Sequence, residues 1–338
     1  MISKRLILTF FFALLSLTLI RAQSDFEQLI KGGKDDANYL AKGYVSPMLK
    51  AIGTGLNQGW YNTAKPHKLG GVDLTVNVSM VSIPTSEGYS RIDNSQLKTI
   101  TLVSPANGQV PTFAGPKTPV PTYQNKATGQ NFSGLGGIGQ IEAGPLKLKI
   151  GKIPVPMAQI GIGLPKGFDL KVRFVPTLNL GDQGKFSMFG VGVMHDIKQY
   201  IPGIKNLPFD LSGFVGFTKM KLDAGLDSSK PDQHVVFDAN ATTIQGVISK
   251  KMAVLTVYAG LGYNIAKTSL AMKGTYSFDN PVPLPPTVVK DPVNLDATAS
   301  GPRVTGGMRL KLAVITFHAD YTLQKYKTLT VGFGISVR

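Results

Sequence analysis

Few residue types in this chain could do chemistry, and their spacing argues against catalysis. Cysteine is absent, which excludes disulfides, thiolate metal sites and a cysteine nucleophile. The four histidines, His67, His195, His234 and His318, have neither HExxH nor i, i+4 spacing, so no metal site is predicted. No GxSxG elbow is present, and nothing in the sequence places a serine beside His318 with an orienting partner. We therefore expect no enzyme activity and no cofactor.

One glycine-rich stretch, Gly134-Leu-Gly-Gly-Ile-Gly139, formally matches the dinucleotide motif GxGxxG. That motif needs a buried strand before it and a helix after it. Here a polar stretch, Asn131-Phe-Ser, precedes the glycines, and Gln140-Ile-Glu-Ala-Gly-Pro145 follows them. We interpret the glycines as relief of crowding inside a wall of strands.

The remaining candidates are charged side chains on one face of predicted strands. They are Lys171, Arg173, Lys273, Arg309, Lys311, His318 and Asp320. Two interpretations stay open: they pair with one another and with Asp169 or Asp210 to stiffen a filled interior, or the basic ones attract the acidic head of an amphiphile. On the second interpretation, replacing Arg173 and Arg309 with Gln weakens binding or uptake of an acidic solute.

Strands must position these charges, and from Leu69 onward the sequence alternates with a period of two. In GGVDLTVNVSM, residues 70–80, the apolar side chains fall on one face and the polar ones on the other. Apolar alternation often runs over nine to eleven residues, the length that a tilted strand needs to cross a bilayer. The apolar face is therefore predicted to meet lipid and the polar face an enclosed lumen. Around Phe186 to Met194 both faces are apolar, so either this part faces a plug or its register differs.

The predicted fold is an all-β, transmembrane, antiparallel barrel of about fourteen strands. The segments are 70–83, 91–103, 131–142, 144–151, 156–164, 168–178, 184–195, 208–221, 234–249, 252–264, 268–278, 302–312, 314–326 and 328–338. Short turns are predicted near Pro165, Lys250-Lys251, Lys267, Ala313 and Lys327, and long loops at 104–130 and 279–302. A weak repeat relates 251–259 to 311–319, each at a short turn.

The N-terminal part differs from the rest. Residues 1–22 have the basic start, the apolar run and the small residue before the cleavage site of a secretory signal peptide. Residues 23–60 are predicted to form a small helical plug or a periplasmic segment, with one helix capped by Asp36 and a second from Pro47 to Leu56. The barrel is predicted over 61–338.

The formal charge of +16 indicates an anionic partner. Lysines and arginines are spread singly between apolar residues, so we expect outer-membrane lipid and lipopolysaccharide or an acidic ligand instead of nucleic acid. The predicted location is the bacterial outer membrane, where an envelope protein is a further candidate partner.

The stretch from Phe189 to Ser212, with its QYIPG connector between two strands, resembles an uncharacterised outer-membrane barrel family of Bacteroidota. A helical N-terminal segment followed by about fourteen strands is also similar in plan to FadL-type channels, which import hydrophobic molecules. That likeness is architectural, and no ligand-binding position is carried over from it.

These observations predict a passive channel or binding barrel for small hydrophobic or amphiphilic solutes. The alternative is a closed barrel that serves as a structural or docking partner of an envelope or secretion assembly.

Overall fold

The structure, a computed structural model, describes residues 33–139, 141–143, 148–150, 152–179, 184–226, 229–278 and 286–337. The predicted signal peptide lies outside these residues. Helix α1 spans Lys34–Leu56, and short 3₁₀ turns occur at Thr85–Glu87, Asn94–Gln96, Pro165–Gly167 and Lys198–Tyr200.

Nineteen strands follow α1 within the described residues. The first ten are β1 (Val72–Ser82), β2 (Tyr89–Arg91), β3 (Ile100–Ser104), β4 (Gln109–Pro111), β5 (Thr122–Asn125), β6 (Asn131–Ser133), β7 (Ile141–Ala143), β8 (Leu148–Ile150), β9 (Lys152–Leu164) and β10 (Phe168–Asn179). The others are β11 (Lys185–Asp196), β12 (Asp210–Gly225), β13 (His234–Met252), β14 (Leu255–Lys273), β15 (Thr275–Phe278), β16 (Thr287–Lys290), β17 (Val293–Leu312), β18 (Ile315–Leu323) and β19 (Thr328–Val337).

The chain divides into two compact units. The first, here called the loop unit, contains Thr85–Ile150, Met272–Leu295 and the described part of Met1–Pro47. The second, the barrel unit, contains Met48–Pro84, Gly151–Ala271 and the described part of Asp296–Arg338.

The barrel is closed and antiparallel and has ten strands, so the prediction of about fourteen was wrong. Their order is β1, β9, β10, β11, β12, β13, β14, β17, β18, β19, and β19 pairs with β1. In that closing ladder Val72 lies opposite Val337, and Met80 lies opposite Leu329.

The excess strands have two physical causes. The predicted segments 91–103, 131–142 and 144–151 contribute to small separate sheets, β2–β4, β3–β5–β6 and β7–β8, because their apolar runs are too short to span a wall. The segments predicted at 252–264 and 268–278 belong largely to one strand, β14, because the chain stays extended through Lys267. Lysine does not favour turns, so the alternation of apolar and polar residues continues past Lys267 within one strand.

Connections alternate between the two rims of the barrel, because each antiparallel strand reverses the chain. The rim with the tight turns after β9, β13 and β17 is called the short-turn rim; the opposite rim carries the long connections after β1 and β14. In the two repeated segments Ala253 and Ala313 begin two-residue turns, with φ of 52° and 53°. The tight turn containing Lys327 lies on the long-connection rim, and a longer connection, 197–209, lies on the short-turn rim.

Burial in the barrel is inverted relative to a water-soluble sheet. Along β1, Asp73, Thr75 and Ser79 are buried, whereas Val72 and Leu74 are 41% and 48% exposed. Exposed apolar side chains continue around the outer wall on the neighbouring strands; they include Ile160, Phe189, Val215, Ile244, Leu261, Phe317 and Phe333. We call this outer ring the apolar belt.

Helix α1 is continuous through Pro47, so the prediction of two helices was wrong. Proline lacks the N–H that would bond to the carbonyl of Gly43, but one missing bond does not end a helix whose side chains are packed. Leu49, Ala51 and Leu56 are fully buried, and this packing keeps the last turns helical.

The loop unit has its own apolar core, formed by Leu40, Ile92, Leu97, Ile100, Leu102, Val110 and Tyr123. Asp36, in the first turn of α1, accepts backbone hydrogen bonds from Lys98, Thr99 and Ile100 at 2.8, 2.8 and 3.2 Å. Burial raises the pKa of this carboxyl, but the hydrogen bonds lower it by more, so its pKa lies below the usual 3.8.

Candidate functional site

The interior of the barrel holds a segment that we call the plug, residues 48–68. Near its start, Gly53 lies against Ala266 and Thr268, in the half of β14 nearer the long-connection rim. Near its end, His67 contacts Asp169 and Ser336, which lie at the short-turn ends of β10 and β19. The plug therefore runs along the lumen from one half of the barrel to the other.

Arg173 binds the plug where α1 ends. Its guanidinium donates to the carbonyls of Leu56 and Gln58 at 2.8 and 2.6 Å, and lies 3.5 Å from the ring centre of Trp60. Arg173 is fully buried. The last carbonyls of a helix lack partners within it and carry partial negative charge, and α1 has no basic residue in its last turn. A cation from the wall of the barrel fills that role.

Arg303, on β17, supplies a second cation to the same point. It donates to the carbonyl of Asn57 at 3.0 Å and to Oε1 of Gln58 at 2.7 Å. It also donates to Thr305 and Thr322 on the wall. The two arginines thus hold the end of α1 from two directions.

Between the end of α1 and the short-turn rim, a mainly aromatic cluster fills the lumen. Its buried members are Trp60, Tyr61, Ala64, Met194, Phe214, Val247 and Tyr258. Gly192 and Gly216 make room for Trp60, because a Cβ at either position would lie 2.9 Å from its ring. Met194 belongs to the segment 186–194, whose sequence is apolar on both faces. Its side chain points inward and packs against the plug.

At the short-turn rim the plug ends in a cluster of polar side chains around His67. His67 Nδ1 lies 2.8 Å from Asp169 Oδ2, and His67 Nε2 lies 3.4 Å from Ser336 Oγ. Ser336, His67 and Asp169 therefore follow one another as in a Ser-His-Asp triad. The sequence had suggested His318, and not His67, as the histidine to consider. Ser336 is 2% exposed, and Lys311 Nζ lies 3.3 Å from its hydroxyl. The hydroxyl is buried among these contacts.

The seven predicted site residues fall into three groups. Lys171, Arg173, Arg309, His318 and Asp320 are buried on the inner face of the barrel, and Lys311 is half-buried. Lys273 belongs to the loop unit, where its Nζ lies 3.9 Å from Asp291 Oδ2 and its side chain is 44% exposed. Their role in ligand binding stays a prediction.

Two members of this set, Lys171 and Asp320, have buried partners outside it. Lys171 Nζ lies 3.4 Å from Asp169 Oδ2, and the Tyr258 hydroxyl donates to Asp320 at 3.0 Å. Among the described residues, no group of three or more histidine, aspartate or glutamate side chains could hold a metal ion.

A cavity of about 530 Å³ lies in the half of the barrel unit nearer the long-connection rim. It is lined by Lys50 and Thr54 of α1, Asn264 of β14, residues 298–304 of β17, Leu323 at the end of β18 and residues 324–326 that follow it. Arg303 contributes to this lining as well as to the plug contacts.

Sequence reasoning missed Arg303, Lys50 and Asn264. Arg303 shares the inner face of β17 with Arg309 at the spacing of two, so the alternation could have found it. Asn264 shares the inner face of β14 with Thr256 and could have been found in the same way. Lys50 carried no comparable signal, because only the folded plug brings the helix beside β14.

Among the described residues, no helix is long and apolar enough to span a bilayer.

The model of the Family of unknown function (DUF6588) matches residues 1–337. No curated protein matches the chain. Among solved structures, the attachment invasion locus protein Ail of Yersinia pestis is similar at 8% identity and a TM-score of 0.28, covering 80% of this chain and 98% of Ail.

Two further structures are similar at the same level. The translocator domain of autotransporter NalP from Neisseria meningitidis has 10% identity and a TM-score of 0.28, covering 86% of this chain and 93% of that domain. The toluene transporter TodX of Pseudomonas putida has 8% identity and a TM-score of 0.24, covering 87% of this chain and 72% of TodX.

Proposed function

We propose that this chain, which belongs to the family of unknown function DUF6588, is an outer-membrane β-barrel that binds small hydrophobic or amphiphilic solutes. The proposal includes its location in a bacterial outer membrane, among lipid and lipopolysaccharide. We also propose that the barrel is similar in plan to FadL-type channels and that it is related to an outer-membrane barrel family of Bacteroidota.

The apolar belt supports the membrane part of this proposal. On β14 the outward side chains Val257, Leu261, Tyr263 and Ile265 are 38–66% exposed, and Lys267 follows them. A soluble protein does not leave such a ring of apolar surface in water, whereas a transmembrane barrel needs one about 25 Å tall.

The cavity beside α1 is the observation that carries the binding function. Its volume of about 530 Å³ is that of a small-ligand site. Its lining mixes apolar side chains such as Val304 and Leu323 with polar ones such as Thr54 and Asn264. An amphiphilic molecule satisfies both kinds of surface.

The plug favours binding over free passage along the axis of the barrel. Besides the two arginine clamps, the Tyr61 hydroxyl donates to Gln245 at 2.5 Å, and the Ser212 hydroxyl donates to the carbonyl of Ala64 at 2.6 Å. A solute that crosses the lumen must first displace these contacts. We propose no covalent chemistry, since the Ser336 hydroxyl is buried among its contacts.

A closed barrel that docks an envelope or secretion partner is the second candidate. The same clamps favour it, because so many buried hydrogen bonds make the interior rigid. On this hypothesis the cavity has no ligand.

Binding of radiolabelled dodecanol to the full-length mature protein in phosphatidylcholine nanodiscs separates the two candidates. Gly301 lines the cavity, and a Cβ there meets nothing within 4 Å, so G301W fills the cavity without a clash with the backbone. We expect wild type to bind dodecanol above empty nanodiscs and G301W to bind at least about tenfold more weakly.

The matched control is G246W. Gly246 is exposed on β13, away from the cavity lining, and a Cβ there also meets open space. Heat-modified gel migration confirms that both variants are folded. Absence of binding by wild type, or equal binding by G301W, overturns the solute function and leaves the docking barrel.

A further inference from the structure

We infer that the connection 197–209, which contains the QYIPG stretch, binds anionic phospholipid head groups at the short-turn rim of the barrel. Six exposed residues form the surface that we call the connector patch: Lys166, Tyr200, Ile201, Lys205, Leu207 and Lys250. This inference rests on the membrane location that the proposed function includes. It does not depend on what the cavity binds, because the patch lies outside the lumen.

The connection folds over the outer wall of the barrel. His195, just before it on β11, is paired with the exposed Phe168 of β10, so both side chains point outward. The imidazole stacks on the Phe168 ring at 3.9 Å between centres, and the Tyr200 hydroxyl lies 3.2 Å from His195 Nε2. A Cβ on Gly213, the partner of His195 on β12, would lie 3.8 Å from Ile197. These contacts place the start of the connection on the outer side of the wall.

Side-chain hydrogen bonds hold the connection in this shape. The Lys198 ammonium donates to the carbonyls of Leu207 and Phe209, and it lies 4.9 Å from the centre of the Phe209 ring. Nε2 of Gln199 donates to the carbonyl of Lys166 at 3.2 Å, which ties the connection to the turn after β9. The patch is therefore formed before a lipid binds, and less conformational entropy is lost on binding.

The apolar belt continues onto the connection. Tyr200, Ile201 and Leu207 are 64%, 40% and 45% exposed. Phe168 and Val193, on the parts of β10 and β11 next to the connection, are 37% and 39% exposed on the same outer wall. A tyrosine at the edge of such a belt is typical of the interface between hydrocarbon and head groups, because its ring is apolar and its hydroxyl is polar.

The charge of the patch has one sign. Lys166 and Lys205 are exposed on the turn after β9 and on the connection. Lys250 is exposed beside the end of the connection, because it follows Ser249, the partner of Asp210 in the β12–β13 ladder. Aspartate and glutamate are absent from the three segments that form the patch, 164–168, 197–209 and 248–254.

The carboxylates that flank the connection face the lumen. Asp196 is in register with Ser212, and Asp210 is in register with Ser249. Both serines are buried on the inner face, and residues paired across two strands point to the same side of the sheet. Within the described part of the connection and its flanks, no carboxylate therefore neutralises the patch lysines from the outer side.

A lipid surface fits both parts of the patch. Anionic head groups attract lysines at a membrane surface, and apolar side chains beside them enter the boundary between head groups and acyl chains. Short turns of outer-membrane barrels lie on the periplasmic side, so the patch meets the periplasmic leaflet. A soluble acidic protein is the less favoured partner, because the patch continues the wall that carries the belt.

A fluorescent label at N206C tests this inference, and its position is unambiguous because the chain has no cysteine. Asn206 is exposed between Lys205 and Leu207. The full-length mature protein is reconstituted in nanodiscs of phosphatidylcholine and phosphatidylglycerol, and one lipid at a time carries brominated acyl chains that quench the label. We expect the quenching to show phosphatidylglycerol enriched about fivefold near the label at low ionic strength.

Substitution of the three patch lysines tests the cause of this enrichment. K166Q/K205Q/K250Q should lose the preference for phosphatidylglycerol, whereas K166R/K205R/K250R should keep it. Heat-modified gel migration confirms that both variants are folded. A preference that survives in the Gln variant refutes recognition by these lysines.

The matched control removes the same number of exposed lysines from the part of the barrel nearer the long-connection rim. This variant is K219Q/K267Q/K327Q. It has the same net charge as the Gln variant of the patch, but it should keep the preference at position 206. An equal loss in both variants would show that the net charge of the protein attracts the lipid, which overturns a site at the connection.

A second label, at G246C on the outward face of β13, separates this inference from the membrane location. A Cβ at Gly246 meets nothing within 4 Å, so the label faces outward without a clash. We expect both brominated lipids to quench it without preference. Absence of quenching at both labels refutes the membrane location and with it the proposed function.

The remaining outcomes concern the connector patch alone. If G246C is quenched and N206C is quenched equally by both lipids, the anionic head group is refuted while the membrane barrel stands. If N206C is quenched by aqueous iodide and by neither lipid, the patch faces water, which overturns lipid binding in favour of a soluble acidic partner.

Discussion

At the scale of single residues, two buried arginines take the place of a helix cap. The sequence of α1 has no basic residue in its last turn. From the wall, Arg173 donates to the carbonyl of Leu56, the last residue of α1, and Arg303 donates to the carbonyl of Asn57, which follows it. The arrangement requires both groups: the carbonyls need donors, and a buried guanidinium needs acceptors. Each part is therefore stable only in the presence of the other.

We predict that R173M loosens the plug. Methionine keeps much of the volume but leaves the Leu56 and Gln58 carbonyls without these donors, at a cost of about 1–3 kcal/mol for each. Trp60 is the only tryptophan of the chain, so its fluorescence reports directly on the plug. We expect stronger acrylamide quenching of Trp60 and faster swelling of liposomes in small sugars.

The control for this variant is R91M, which alters an exposed arginine of the loop unit. It should leave both readouts at the wild-type level. Unchanged quenching and unchanged swelling in R173M would show that the plug does not depend on this arginine.

At the scale of elements, the first turn of α1 is joined to the following loop through Asp36. Three backbone amides and the Thr99 hydroxyl donate to its carboxylate, at 2.7–3.2 Å. A carboxylate at a helix N-terminus also interacts favourably with the helix dipole. The same residue was predicted as a helix cap from the sequence, but its partners at 98–100 could not be predicted.

We predict that acid weakens this junction. The pKa of Asp36 is below 3.8 in the folded protein, so its contribution is complete above about pH 3.8 and is lost as the pH falls through the lower folded value. Hydrogen exchange should show protection of the Thr99 and Ile100 amides falling in acid, and D36N should lose roughly tenfold in protection at neutral pH.

Asp35 provides the matched control. Its side chain is 67% exposed and pairs with Lys98 on the surface, where an ion pair contributes little. D35N should leave the protection of both amides unchanged. If D35N and D36N behave alike, the buried hydrogen bonds are not the cause.

At the scale of the whole barrel, the outer belt and the polar interior form an inverted protein. Apolar residues face outward over a limited height, and the polar residues of the inner face bind the plug and one another. In water this arrangement would expose the apolar side chains of the belt, whereas in a bilayer it hides them.

We predict that L261R destabilises the barrel in lipid by about 2–4 kcal/mol, because Leu261 is 66% exposed in the middle of the belt on β14. The control is S269R. Ser269 points outward on the same strand but lies beyond Ile265 and Lys267, above the belt, so this variant should cost less than about 1 kcal/mol. Urea unfolding in lipid vesicles measures both. A neutral L261R would contradict the membrane assignment.

Periodicity carried most of what could be predicted about the fold. The spacing of two is a local property, so Val72 to Met80 and Phe168 to Phe174 revealed strands and the face of each residue. The strand count failed because alternation does not say which strands join one wall: the short segments after β1 form separate sheets, and Lys267 lies within a strand.

Local spacing of residue types was enough to predict the alternating strands, the N-terminal helix and the inner positions of Arg173, Arg309 and Asp320. The folded structure was needed to show that ten strands close the barrel, that the plug fills it, and that Lys50, Asn264 and Arg303 line one cavity. The closing ladder pairs Val72 with Val337, and the cavity brings Lys50 into one lining with Asn264 and Arg303, so each of these pairs is more than two hundred positions apart. Their partners are fixed by closure of the barrel, which no local pattern encodes.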